Sequence, residues 1–252
     1  MAAIEAVESA GRGSAVAFRG EEVGCVGSRA VCGADGDGDA LPNVFLELHV
    51  EQGPVLAGAG SPLGVVTSIV GYARGELVFE GQAGHAGTTP MAGRNDALAA
   101  AAEAVLRIRD AARGIDGAVA TVGELSVEPG ASNVIPSRVR LSVDARAPDS
   151  ERLARLAAAV GFDPHQLTDP APMSPELRGV LRAEIEGRGL LAVELPSGAG
   201  HDAGILAAAG VPSAMLFVRS LNGGVSHSPD ELSSDEDVAL AVDVLTAALA
   251  RL

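Results

Sequence analysis

Segments patterned like strands alternate with segments patterned like helices along most of this chain, and that alternation points to an α/β architecture. Apolar runs at 14–18, 43–50, 64–81, 118–127, 138–146, 190–195 and 211–218 read as strands. Helical patterns fall at 95–113, with Asn95 as the N-cap, and at 151–160, 175–188 and 202–209, before a closing helix opened by Ser234 and a run of acids. In 138–146, Val139, Leu141 and Val143 alternate with Arg138, Arg140 and Ser142, as expected of an open sheet with one wet face. The Pro/Asp-rich stretch 161–175 reads as a linker. A sheet domain built from both ends of the chain, 1–73 and 172–252, with an inserted α+β domain at 74–171, is therefore expected.

Composition narrows the chemistry. The 252 residues are 47% apolar, enough for a sizeable core, and the net charge of −15 disfavours nucleic acid and anionic membranes. Aromatic residues are only 2%, with no Trp, so no platform exists for stacking bases. Every basic residue other than histidine is arginine. Without lysine, the P-loop, kinase and Schiff-base chemistries are excluded. The spacing of Cys25 and Cys32 fits neither a redox pair nor a zinc ribbon, so both are expected as buried free thiols. No apolar stretch approaches the ~18 residues of a membrane span, and the chain is expected to be soluble and cytoplasmic.

Four of the five histidines, His49, His85, His201 and His227, sit at strand ends or in loops beside Gly, Asp or Glu, where a reactive site is more readily built than a packed core. His165, in the linker, has no such surroundings. Glu21 and Glu22 follow the 14–18 strand, at what would be the carboxyl end of a parallel strand, where ligands of open α/β sheets gather. Carboxylates together with imidazoles form a donor set suited to zinc or manganese, and one of two adjacent carboxylates can bind metal while the other acts as general base. A serine hydrolase is disfavoured, since Gly-x-Ser-x-Gly is absent and Ser197 lacks a nucleophile elbow. Gly198 and Gly200 permit close approach of a substrate to backbone. Arg146 has two readings, a fork for a substrate carboxylate or a surface salt bridge.

The motifs Glu47–Pro54 (ELHVEQGP), Gly84–Met91 (GHAGTTPM) followed by Arg94, Asp96 and Ala97, Asn133–Pro136 (NVIP), Ser197–Ala203 (SGAGHDA) and Ser226–Glu231 (SHSPDE), in this order, resemble the amidase branch of the M20 metallopeptidase family. That branch includes allantoate amidohydrolases, N-carbamoyl-L-amino acid hydrolases and β-ureidopropionases. The resemblance implies an open-sheet α/β catalytic domain with a di-metal centre and an inserted lid that forms a homodimer. It implies hydrolysis of a linear ureido or carbamoyl C–N bond of a small carboxylate by metal-activated water. Glu21 would be the general base; Glu22, His49 and His227 would be metal ligands, with zinc or manganese as cofactor. Gln52, His85, Asn133, Arg146, Gly200 and His201 would form the substrate-binding set, with His85 also stabilising the oxyanion and reaching into the partner subunit's site.

The resemblance also marks departures. The family's His-x-Asp ligand and bridging aspartate have no counterpart in these residues, so the catalytic domain is expected to be incomplete at its N-terminus and to hold fewer than the family's two metals. An alternative expectation follows, a catalytically impaired remnant that serves as a dimerising or ligand-binding module.

Overall fold

The computed structural model describes residues 1–33 and 41–252, and the chain divides into two compact units. In chain order the elements begin with α1 (Ala2–Ala10), α2 (Val26–Cys32), β1 (Phe45–Val50), α3 (Val55–Ala59) and β2 (Leu63–Ile69). There follow β3 (Gly71–Glu80), α4 (Ala97–Arg113), β4 (Val119–Glu128), β5 (Arg138–Ala147), α5 (Ser150–Val160) and β6 (Gln166–Thr168). The chain closes with β7 (Ala171–Pro172), α6 (Pro175–Glu186), β8 (Val193–Ser197), α7 (Asp202–Ala208), β9 (Ser213–Val218) and α8 (Asp235–Arg251).

The first unit joins Met1–Ile69 to Ala171–Leu252 around a mixed sheet. Strand β9 lies parallel to β1 and antiparallel to β2, and β2 in turn pairs parallel with β8 and antiparallel with β7. Every residue of β9 is buried, because this apolar strand is covered on both faces. Ala214, Leu216 and Val218 pack with Leu63, Val65 and residues of α6 and α8, whereas Met215 and Phe217 pack on the opposite face with Leu56, Val66 and Ala203. The Ser234 hydroxyl accepts the Asp237 N–H, and three acids in the first turn favour the positive end of α8.

The second unit is the insertion Val70–Pro170, a four-stranded antiparallel sheet in the order β4-β5-β3-β6. Alternation in β5 buries Val139, Leu141, Val143 and Ala145 against α4 and α5. The other face carries charge, with cross-strand pairs Arg138–Glu80, Arg140–Glu76 and Arg74–Asp144. Strand β4 is an edge, and Val119 and Leu125 on it are exposed.

Four sequence expectations need correction. Residues 14–18 form no strand: they are small, mostly exposed and lack a face to bury, with Val16 57% exposed. Residues 161–175 are not a bare linker, since they supply β6 and β7. The cap of α4 is Asp96 rather than Asn95; its Oδ1 accepts the N–H groups of Leu98 and Ala99. Both cysteines are free, but only Cys25 is buried, and burial pushes its thiol up to about 12. Among the described residues, no helix is long and apolar enough to cross a membrane.

Candidate metal centre

Local backbone demands place Glu21 and Glu22. The Gly27 N–H donates to Arg19 O at 2.7 Å, and a Cβ on Gly27 would lie 2.6 Å from Arg19 N, so only glycine lets the chain double back here. The intervening turn is closed by the Gly24 and Cys25 N–H groups, which both donate to Glu21 O. It presents the two carboxylates just ahead of α2.

His49 comes from the end of β1. Its Nδ1 lies 2.8 Å from Val50 O, a carbonyl that can only accept, so Nδ1 carries the hydrogen and Nε2 keeps its lone pair. Beyond it, Glu51 accepts from the Val55 and Leu56 N–H groups and caps α3. Gln52 sits at φ 56° with its N–H donating to Ser220 Oγ, a left-handed backbone that such contacts must hold in place.

His201 immediately precedes α7 and is 2% exposed. Its Nε2 is 2.8 Å from Ser197 Oγ, and its ring lies edge-on to that of His49, with centroids 4.5 Å apart. Its Nδ1 is buried without a hydrogen-bond partner among the described residues. That nitrogen is 3.6 Å from Glu21 Oε1 and 3.7 Å from Glu47 Oε1, near both carboxylates yet beyond ordinary hydrogen-bond length. Glu47 Oε2 accepts the Ala203 N–H at 2.6 Å, and Asp202 binds the Ser28 hydroxyl.

Burial governs the electrostatics. It pushes Glu47 up to about 7 against the opposing Ala203 N–H, and it drives His201 down to about 3, leaving a neutral imidazole. Glu21 is raised chiefly by burial, with Glu22 and Asp202 adding to the effect and His49 and His227 opposing it.

Glu22 and His227 form a second, exposed pair at 3.5 Å. His227 rides on a loop whose neck is closed by the Arg219–Asp237 ion pair, by the Leu221 N–H donating to Leu232 O, and by the Ser233 hydroxyl donating to Arg219 O. Its own φ is 55°, and its N–H donates to Glu231 Oε2. Gly224 in this loop packs so closely on Gly53 that a Cβ would lie 2.2 Å from the Gly53 carbonyl carbon.

The remaining candidates divide between the units. Gly200 is an exposed glycine with open space around it, in the turn before His201. In the second unit, His85 Nδ1 accepts the Gly87 and Thr88 N–H groups, so its outward Nε2 carries the hydrogen. Asn133 O accepts the Ala86 N–H, joining the two motif loops. Both arms of the Arg146 fork bind Asp144, at 2.9 and 3.0 Å, and Arg74 binds the same carboxylate at 2.8 Å. A groove of about 370 Å³ on this unit's charged sheet face is lined by Arg74, Glu76, Thr121, Asp144 and His165, and by none of the candidate site residues.

One ligand atom from each of Glu21, His49 and His201 lies within 4.8 Å of the other two, so the three can converge on one ion. Imidazole nitrogens and a carboxylate oxygen suit zinc or manganese, and a buried nitrogen without a hydrogen-bond partner is a lone pair that a cation would satisfy. The residues fit a metal.

The family model of peptidase family M20/M25/M40 matches residues 1–251. The chain belongs to this family. Over 91% of its length it is 36% identical to an N-carbamoyl-L-amino acid amidohydrolase of Geobacillus stearothermophilus, covering 68% of that protein. It is also 36% identical to an allantoate amidohydrolase of Bacillus subtilis, over 83% of this chain and 54% of the relative. Among solved structures, a hydantoinase/carbamoylase family amidase from Burkholderia multivorans aligns with TM-score 0.76 and 34% identity, over 82% of this chain and 54% of that one. The mixed α/β fold thus matches that of M20 amidohydrolases, while the chain spans between about half and two thirds of such relatives.

Within this family member, sequence reasoning placed His201 with the substrate-binding residues, whereas the structure puts it inside the donor cluster. The signal available was Ser197, four residues earlier, which meets the ring from the end of β8.

Proposed function

We propose that this chain carries the chemistry of a metal-dependent amidohydrolase cleaving a linear ureido or carbamoyl C–N bond of a small carboxylate, such as allantoate or an N-carbamoyl-L-amino acid. The Glu22–His227 pair, with Glu21 and His49 near enough to feel one another's charge, is the observation that carries this reading. Its substrate class is that of the similar amidohydrolases.

Glu22 and His227 on one side, and His49 across the site from them, would be the ligands of the working metal, zinc or manganese. A bound divalent cation supplies a Lewis acid for the carbonyl and makes a water acidic enough to deprotonate near neutral pH. Glu21 would take the proton of the attacking water and return it to the leaving nitrogen. Burial raises its basicity, which suits a base operating near neutral pH. His85, its Nε2–H held outward, would donate to the developing oxyanion. Gln52, Asn133, Arg146 and Gly200 would contact substrate, with Arg146 reading the carboxylate. We further propose a homodimer formed through the second unit, for which the exposed edge β4 offers an unpaired ladder.

The test is ammonia release from N-carbamoyl-L-amino acids and allantoate by the purified chain supplied with manganese or zinc. Turnover abolished by a chelator and by Glu21→Gln is expected. A metal-loaded, folded protein with no turnover on either substrate would sink the reading.

A further inference from the structure

His201 is a buried imidazole whose two nitrogens meet very different surroundings. Nε2 faces Ser197 Oγ at 2.8 Å. That oxygen also receives the Ala199 N–H at 3.3 Å and lies 3.4 Å from Ala199 O, which can only accept. With the serine proton directed to Ala199 O, its lone pairs are left for the Ala199 N–H and for Nε2–H, and every group is satisfied. Nδ1 then holds a lone pair with no protein donor to meet it, facing Glu21 Oε1 and Glu47 Oε1 and close to the His49 ring. His49 is fixed in the opposite sense, its Nδ1–H on Val50 O and its Nε2 bare. Two imidazoles of opposite tautomer thus each keep an unprotonated nitrogen in a cluster with one carboxylate.

We propose that Glu21, His49 and His201 form an inner cation site, in which His201 Nδ1 is a ligand and Ser197 is the positioning residue that sets its tautomer. The inner site needs no hydrolysis to exist, and it goes beyond the functional reading, in which Glu22 and His227, with His49 across the site, are the ligands of the working metal. The two sites share His49, and the inner one also engages Glu21. A cation in the inner site therefore withdraws the proton acceptor, so loading it slows hydrolysis. Its chemical class is a borderline divalent ion such as zinc or cobalt, which accepts nitrogen and carboxylate oxygen at about 2 Å.

The experiment titrates the metal-stripped full chain with Co²⁺ alone, followed by calorimetry and by the visible bands of the bound ion. Wild type, Ser197→Ala, His201→Gln and His227→Ala are compared. One binding event should weaken about 10- to 100-fold in Ser197→Ala, disappear in His201→Gln and persist in His227→Ala. An unchanged isotherm and spectrum in His201→Gln would overturn the proposal. Circular dichroism of each metal-free variant checks folding; should His201→Gln not fold, Ser197→Ala, which keeps the imidazole in place, decides the matter. A long-range ¹H–¹⁵N spectrum of metal-free wild type should show His201 protonated on Nε2, and protonation on Nδ1 would refute the role given to Ser197. Inhibition of ammonia release by excess Co²⁺, relieved in Ser197→Ala, is the activity readout. Its absence alongside an intact inner binding event would overturn the inhibitory consequence, while absence of any turnover would count against the functional reading and leave the calorimetric result standing.

Discussion

Glu47 in the first unit and Asp144 in the second are both drawn out of water, and they respond in opposite directions. Burial lifts Glu47 to about 7, with Asp202 and Glu21 adding to the effect and the Ala203 N–H opposing it. Burial also acts on Asp144, but the guanidiniums of Arg146 and Arg74 outweigh it and hold this carboxyl below the usual range. In the inserted sheet this carboxylate thus meets its counter-charges within the same unit. Among the described residues, the cluster of the first unit gathers carboxylates and imidazoles with no guanidinium paired to them, an arrangement that costs stability and that a divalent ion would relieve.

The sharpest way to break this contrast is at Glu21. If its carboxylate is the proton acceptor, Glu21→Gln lowers the hydrolysis rate at least about 100-fold, read as ammonia release at saturating substrate. A structural carboxylate would cost far less.

Next in size is the response to metal. Co²⁺ at 100 times its dissociation constant should stabilise the chain by about 2.7 kcal/mol. Hydrogen exchange locates that gain: protection should rise in β1 and α7 and stay level in β5. Equal protection in β5 would show that the contrast between the units is false.

A smaller effect is expected at Glu47. The folded protein holds this proton up to about pH 7 whereas the unfolded chain releases it near 4.5, so the folded state binds more protons in that window and stability falls as pH rises through it. Glu47→Gln should therefore stabilise the metal-free chain by about 1–3 kcal/mol at pH 8 and by little at pH 5. Denaturant unfolding at the two pH values measures it.

Asp144 gives the opposite sign and the smallest change. Its contribution is complete above the ordinary carboxylate range and is lost as pH falls through its depressed folded value. Asp144→Asn should cost about 1–2 kcal/mol at pH 7, with the difference from wild type shrinking toward pH 3. A deficit that persists in acid would mean that shape, rather than charge, holds the pair.

Much of the fold was legible because core strands carry their own pattern. The alternation in β5 announced a one-sided sheet, and the apolar run at 211–218 announced the strand that is β9. The run 14–18 misled because small apolar residues look the same whether or not a neighbouring strand is there to pair. Strands β6 and β7 escaped because three and two residues carry no periodicity, and their pairing is imposed by β3 and β2. The carboxylates and imidazoles were visible as types, and the motifs ordered them. What local sequence could not give was the burial of His201, which depends on His49 and Phe217 closing over its ring from other strands.

The loop bearing His227 has a further consequence. Its two ends are clasped where Leu221 meets Leu232 and where Arg219 meets Asp237. With the neck fixed, lengthening the loop costs slowly, about 0.6 kcal/mol for each doubling of the flexible segment. Residues added between Gly224 and Asp230 would therefore leave β9 and α8 in their places, but they would unseat His227, whose position rests on its own N–H to Glu231 Oε2 and on the packing of Gly224 against Gly53.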